Sequence, residues 1–274
     1  MSCIKYSTDL DSKFLIVRHG QTSYNIYIDK HLRDIDSKIA DAPLNETGIK
    51  QAKSRQKEVN KLNIKYVYCS PLFRALQTAS ILLENHPEKD NIVITVHPLI
   101  HEALICPYTF PLDISYSKSV FNLNSKVKVD WDLFDEITQK LPYQQNFFYF
   151  SNITLLSDQE KVTFYDKFNE SYKSNNMEKL KEEMEKLSKY SVDECKKPLE
   201  SLRHVALRFD DFRRFLLGKF GGCLEKTEEK VLIVCHGTLI QVLTAPKPYE
   251  NDDIICHQKE GFRADNCQII SIYL

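Results

Sequence analysis

The 274-residue sequence has no excess of charge of either sign: 37 Lys and Arg stand against 38 Asp and Glu, a formal charge of −1. That balance excludes a generally basic nucleic-acid binder but leaves room for a local basic pocket. No run approaches the ~18 consecutive apolar residues of a membrane span. Residues 1–13, MSCIKYSTDLDSK, carry no basic-then-apolar leader pattern, and lipidation motifs are missing at both ends. The eight cysteines form no CxxC and none lies within ten residues of another. A disulfide framework would be odd in a chain of this kind, so free thiols and a cytoplasmic location are expected. GxxxxGK[ST], GxGxxG and GxSxG are all absent, which removes the usual nucleotide-loop and serine-hydrolase signatures. No internal repeat is visible. No Arg lies between Arg74 and Arg203.

What is present is an ordinary globular composition, 42% hydrophobic, enough for a sizeable core. At roughly 150 residues per domain, the length allows one large domain or two small ones. Five short apolar runs read as strands: Lys13–Val17, Lys65–Cys69, Ile92–Val96, Val231–Cys235 and Gln268–Tyr273. Their apolarity is continuous rather than alternating, which suits strands covered on both faces. Between them lie helical patterns over Thr47–Leu62, Pro71–Leu83 and Leu199–Leu216. In the second, Ser70 is placed to cap and Pro71 fits the first turn. Strands alternating with helices predict a three-layer α/β/α sandwich with a mostly parallel sheet. Residues 105–192 break the alternation, and sixteen of the chain's thirty aromatics fall between 101 and 200. This stretch is expected to be a largely helical insertion, with a charged helix over Met177–Leu187, packed on a core built from 1–104 and 193–274. All 274 residues then form one domain.

Chemistry concentrates where strands end. The first strand runs into Arg18-His19-Gly20-Gln21-Thr22 and the fourth into His236-Gly237-Thr238. In an open α/β sheet, ligands bind beyond the carboxyl ends of the strands, so neighbouring strands would turn both His-Gly pairs toward one crevice. Gly permits the tight turn and the close backbone approach. Arg74 falls in the first turn of the helix after the second strand, where the dipole disfavours a cation. An external anion would account for it, since the helix N-terminus favours one. Arg18 and Arg74 can both fork onto phosphate oxygens. Two imidazoles and two guanidiniums suggest phosphoryl transfer: one His attacks phosphorus and the remaining donors stabilise the equatorial oxygens. The leaving oxygen then needs an acid. Glu102, just past the third strand, is the candidate, kept protonated by desolvation and a nearby phosphate. His97 and His101 are four residues apart, but Pro98 argues against a helical zinc pair.

The motifs LIVRHGQTSYN, PLNETGIKQA, YCSPLFRALQTA, HEAL, VLIVCHGTLI and the terminal NCQIISIYL resemble the histidine phosphatase superfamily, in the branch containing cofactor-dependent phosphoglycerate mutases and related phosphatases. The resemblance covers roughly 13–104 and 198–274. It implies that His19 is phosphorylated, that Arg18, Arg74 and His236 hold the phosphoryl group, and that Glu102 donates the proton and later activates water. It also implies that Asn25 touches phosphate or substrate, with Gln21, Thr22 and the Gly237 backbone near the pocket. No metal or organic cofactor is implied for hydrolysis; a mutase would need 2,3-bisphosphoglycerate as primer.

Three readings follow: a phosphatase, a phosphoglycerate mutase, or an inactive phosphate-recognition scaffold. Glycolytic mutases of the family carry Glu-Ser after RHG and an Arg directly after the acidic residue; here Gln21-Thr22 and Ala103 stand in those places. A phosphatase is therefore favoured. The expected partner is a small phosphorylated substrate, not nucleic acid or membrane. Aromatics such as Phe147–Phe150 would favour a bulky or apolar leaving group if they face the mouth. Oligomeric state is not legible.

Overall fold

The protein is described here from a computed structural model, which describes residues 4–29, 41–105, 109–111, 114–139, 149, 151–154, 156–174, 179, 182–183, 186, 199–221, 228–245 and 261–274. The expected helix over Met177–Leu187, the acidic pair Asp34 and Asp36, and the aromatics Phe147, Phe148 and Phe150 lie wholly or mostly outside those residues.

Among the described residues, seven strands make one mixed sheet: β1 (Lys5–Ser7), β2 (Phe14–Arg18), β3 (Ile64–Cys69), β4 (Val93–Val96), β5 (Lys128–Asp130), β6 (Lys230–Cys235) and β7 (Ile269–Tyr273), in the order β1-β7-β2-β6-β3-β4-β5. β2, β6, β3, β4 and β5 run parallel, and β7 is antiparallel to both β2 and β1. The five expected strands are all present, within a residue of their expected limits. Two edge strands are additional. β1 and β5 are three residues long with two polar residues each (KYS and KVD), too short for an apolar run to mark them. β5 comes from the 105–192 stretch, which therefore lends the sheet its last strand.

Helices cover both faces. They are α1 (Ser23–Asp29), α2 (Glu46–Val59), α3 (Phe73–Leu83), α4 (Ile114–Asn124), α5 (Asp132–Thr138), α6 (Asp158–Lys173), α7 (Leu202–Phe220) and α8 (Gly237–Thr244). Alternate strand residues enter different cores. Leu15, Val17, Leu232 and Val234 pack with Ala75, Leu76 and Ala79 of α3. Ile16, Ile233 and Cys235 pack with Phe209, Phe212 and Leu239 of α7 and α8. The continuous apolar runs are thus explained by burial on both faces. Cys69 belongs to the first core and Cys235 to the second, so the thiols point to opposite sides of the sheet. Both are free, as is Cys267. Among the described residues, no helix is long and apolar enough to cross a membrane.

One local expectation is corrected. Ser70 does not cap α3. The helix begins at Phe73 after Leu72, with no side-chain cap. The Ser70 hydroxyl instead accepts from Leu72 N at 3.3 Å and meets His236 Nε2 at 2.7 Å. It turns the chain three residues before the helix and reaches across to the neighbouring strand end.

Candidate active site

The parallel strands place their carboxyl ends side by side. His19 N donates to Cys235 O at 2.9 Å, Ser70 N to Val234 O at 3.0 Å and His97 N to Cys69 O at 2.9 Å. The ladder therefore continues one residue past β2, β3 and β4, and fixes how His19 and Ser70 leave the sheet. His236 follows β6 and stands at the start of α8. The His19 and His236 rings lie 5.1 Å apart between centroids.

His19 is 3% exposed. Its Nδ1 faces Gly20 O at 2.7 Å; a carbonyl only accepts, so Nδ1 carries the proton. Arg74 Nε donates to His19 Nε2 at 3.3 Å, which requires a lone pair there. Burial, then the Arg74 and Arg18 guanidiniums, hold the imidazole well below its ordinary pKa. It is a neutral base with Nε2 unprotonated. Asn266 Nδ2 donates to His19 O at 2.9 Å, fixing the backbone from the last strand's side.

His236 is fully buried, and burial followed by Arg74 and His19 keeps it neutral as well. Its Nδ1 has no hydrogen-bond partner among the described residues. A buried polar atom in that position commonly serves a ligand or a water. Arg18 Nη1 donates to Ala264 O at 2.8 Å. Gly237 packs against that guanidinium: a Cβ there would lie 3.0 Å from Arg18 Nε. A side chain at 237 would require Arg18 to give way by a few tenths of an ångström.

Glu102 follows the 3-10 turn Pro98–Ile100 and is 8% exposed. Burial raises its pKa; Arg74, the Ala103 N–H, Arg18 and the Thr238 N–H oppose this and do not cancel it. Its Oε1 accepts from Ala103 N at 2.8 Å. The five residues Arg18, His19, Arg74, Glu102 and His236 thus stand within electrostatic reach of one another.

Gln21, Thr22 and Asn25 serve the turn that follows His19. Asn25 Oδ1 accepts from Thr22 N at 2.9 Å and from its hydroxyl at 3.1 Å, which starts α1. Gln21 N donates to Gln51 and its Oε1 accepts from Asn45 Nδ2 at 3.1 Å. Gly20 and Gly48 let this turn lie on the start of α2: a Cβ on Gly20 would come within 2.7 Å of Gly48 O. His97 is no ligand partner of His101; its Nδ1 accepts from Leu99 N at 3.2 Å and starts the 3-10 turn.

Sequence reasoning missed Asp41. Its carboxylate accepts from Phe73 N at 3.0 Å and from Arg74 Nη1 at 3.5 Å, holding both the α3 N-terminus and the guanidinium. Its φ is 45°, a left-handed conformation that Asp tolerates better than most residues. Its position two residues before the PLNETG motif was the only available signal. Burial raises its pKa to about 7 against the opposing pull of Arg74 and the Phe73 N–H. A carboxyl raised from about 3.9 in the unfolded chain binds its proton more tightly when folded. Its stabilising contribution is present below the unfolded value and is lost as pH rises toward 7. Asp41→Asn removes that loss. The Tm of the variant minus that of the wild type should rise as pH rises from 4 to 8; a difference that falls with pH would mean the folded Asp41 is the stronger acid.

Residues 14–108 match the model of the histidine phosphatase superfamily (branch 1). Fructose-2,6-bisphosphatase TIGAR B of Danio rerio is 38% identical over 87 residues, 32% of this chain and 32% of that protein. A probable phosphatase of Schizosaccharomyces pombe is 33% identical over 98 residues, 35% of this chain and 43% of the other. The matched stretch spans about a third of the length of the TIGAR relatives. Among solved structures, the ecdysone phosphate phosphatase from Bombix mori, in complex with tungstate, aligns over 95% of this chain and 91% of its own, with a TM-score of 0.50 and 12% identity. That likeness is one of fold.

Proposed function

We propose that this chain is a phosphomonoesterase of the histidine phosphatase superfamily, whose model residues 14–108 match, and that it works through a phosphohistidine at His19. The observation that carries the reading is the unprotonated Nε2 of His19, held by Arg74 at 3.3 Å beside a second buried imidazole.

In the first step the Nε2 lone pair attacks phosphorus and the bond from phosphorus to the leaving oxygen breaks. Glu102, protonated, gives that oxygen its proton. Arg18 and Arg74 fork onto the equatorial oxygens, and the α8 N-terminus adds its partial positive charge. His236 donates from Nδ1 to the phosphoryl group, with Ser70 on its Nε2 side holding that tautomer. In the second step water attacks phosphorus, the phosphorus–nitrogen bond breaks, and the Glu102 carboxylate takes the water's proton. Gln21, Thr22, Asn25 and Gly237 shape the pocket rim. Two guanidiniums supply the charge that a metal supplies elsewhere, so turnover of p-nitrophenyl phosphate is expected without added metal and in the presence of a chelator.

The chemistry is that of a small phosphorylated substrate. Fructose 2,6-bisphosphate, named for the TIGAR relatives, heads a screen with sugar phosphates, nucleotides, phosphopeptides and phosphoglycerates. Rapid interconversion of 3-phosphoglycerate with 2,3-bisphosphoglycerate as primer would make the protein a mutase instead. Absence of any phosphoenzyme would leave phosphate recognition alone.

Glu102→Gln isolates the acid. The loss in kcat/KM should reach about 10²-fold on phenyl phosphate, with a much smaller loss on p-nitrophenyl phosphate, whose leaving group needs little protonation. The wild-type kcat/KM should fall as pH rises through the elevated Glu102 pKa, because the protonated form acts. Glu102→Gln should flatten that limb. An equal loss on both substrates with the limb retained would remove Glu102 from the role.

A further inference from the structure

We propose that Glu200 and Arg208, a buried ion pair contributed by the chain after the 105–192 stretch, are positioning residues for Glu102; this rests on the reading of Glu102 as the acid. Glu200 is fully buried and Arg208 is 4% exposed. Arg208 Nε donates to Glu200 Oε1 at 2.8 Å and Nη2 to Oε2 at 3.2 Å. Apart from the His204 contact of Glu200, the other side-chain bonds of the pair go to one loop. Arg208 Nη1 donates to Leu99 O at 2.7 Å, and Nη2 also reaches Glu102 O at 3.3 Å. Glu200 Oε2 accepts from Leu104 N at 3.1 Å, and Glu200 N donates to Leu104 O at 2.9 Å. The pair therefore grips the loop before Glu102, at Glu102 and after it.

The Glu102 carbonyl is held twice. His101 Nδ1 donates to it at 2.6 Å, beside the Arg208 bond. Both lone pairs of that oxygen are used, which fixes the peptide plane from which the Glu102 side chain starts. Its carboxyl then rests on Ala103 N and Thr238 N.

Stability alone is a weak reason for such a pair. An ion pair taken fully out of water often does no better than well-packed apolar residues of similar volume. What this pair supplies is orientation: a charged fork bonded to backbone atoms on both sides of one carboxyl acid. Supporting residues of this kind hold a reacting group in its productive geometry. The pair stays ionised although burial pushes Glu200 up, because Arg208 and His204 outweigh it and hold the carboxyl well below its ordinary range. His204 Nδ1 lies 2.9 Å from Glu200 Oε1 on the half-exposed side, and packs Glu200 from the start of α7. Leu104 stands just before the 105–192 stretch, and Leu199 and Glu200 stand after it. The pair thus ties the chain before that stretch to the chain after it, at the proposed acid.

The test is the ratio of kcat/KM on p-nitrophenyl phosphate to that on phenyl phosphate. Both values come from one preparation, so the ratio does not depend on the fraction folded. Glu200→Gln keeps the shape and removes the charge; Arg208→Lys keeps the charge and removes the fork. Each should raise the ratio by about tenfold, since a small misplacement of a reacting group is costly. In the Glu102→Gln background neither should raise it further, because the acid is already gone. Equal losses on both substrates, with the ratio unchanged, would make the pair a structural tie and overturn the proposal. If Glu102→Gln itself leaves the ratio unchanged, the reading of Glu102 as acid fails first, and the proposal falls with it. Arg208→Lys is the milder of the two and carries the test should Glu200→Gln not fold.

Discussion

His19→Ala should abolish turnover, with a fall on the order of 10⁴-fold or more, and should leave no phosphoenzyme. The size of the loss follows from what else is near. Cys69 and Cys235 point to opposite faces of the sheet, and burial raises both thiols well above their ordinary value, so neither supplies a thiolate. The Ser70 hydroxyl is engaged with His236 Nε2 at 2.7 Å. His236 presents its other nitrogen, but it sits in the second ring position, 5.1 Å from the His19 centroid. The local structure should survive. His19 makes one short bond, from Nδ1 to the adjacent Gly20 carbonyl, and its ring lies near two cations. Removing it relieves the cost of burying an imidazole there, so the Tm should stay within a few degrees of wild type. Quenching in alkali, which preserves phosphohistidine, should trap labelled wild type and not the variant. Labelled His19→Ala would move the nucleophile elsewhere.

Arg74→Met carries the second-largest effect. It should lower kcat/KM by about 10²–10³-fold, the usual consequence of deleting one preorganised donor to a developing oxyanion. Arg74 is 2% exposed and has three attachments: His19 Nε2, Asp41 at 3.5 Å, and the first turn of α3. On the proposed mechanism the variant therefore loses a phosphate ligand, and among the described residues it leaves Asp41 buried with only the Phe73 N–H. Removing one member of a buried pair costs about 3–5 kcal/mol when the survivor must stay charged. Asp41 has an escape, because its pKa is already raised to about 7 and the loss of Arg74 raises it further. Below pH 7 the carboxyl protonates and most of that cost is avoided; above it, the cost grows. The stability deficit of Arg74→Met relative to wild type should thus widen as pH rises from 6 to 9, while the kinetic deficit persists at every pH. Combining it with Asp41→Asn should remove the widening and leave the kinetic loss. A kinetic loss that vanished in the double variant would assign Arg74 a structural role only.

The two tests separate effects that the same few residues combine. On the proposed mechanism His19 makes the bond to phosphorus, so its loss should be kinetic. Arg74 is the counter-ion of Asp41 and, on the proposed mechanism, also supplies charge at the phosphate, so its loss should divide between rate and stability.

Much of the fold was legible because it is written in short-range pattern. The runs FLIVR, YVYC and VLIVC are apolar on both faces, and the sheet buries both faces of β2, β3 and β6. The same strands end in residues whose chemistry is conspicuous, so Arg18, His19 and His236 could be named before any coordinate. Local pattern also has a reach of only a few residues. β1 and β5 have three residues each and are strands because a neighbour offers free backbone groups, not because their own side chains ask for it. Ser70 was read as a helix cap, which is what Ser before Pro suggests. Its true partner, His236, lies 166 residues away.

By itself the sequence determined which chemistry is available: two imidazoles, two guanidiniums and an acid, each following an apolar strand or opening a helix. The tertiary structure decided the protonation states and the supporting contacts. His19 is neutral with a free Nε2 because burial and two cations act on it together, and Glu102 is a weak acid because burial outweighs both arginines. Asp41, Glu200 and Arg208 carry no motif; they matter through hydrogen bonds to backbone atoms of loops far along the chain. The reason is physical. Identity and spacing are properties of the chain, whereas desolvation and the geometry of a charge beside a distant carbonyl exist only once the chain has closed around them.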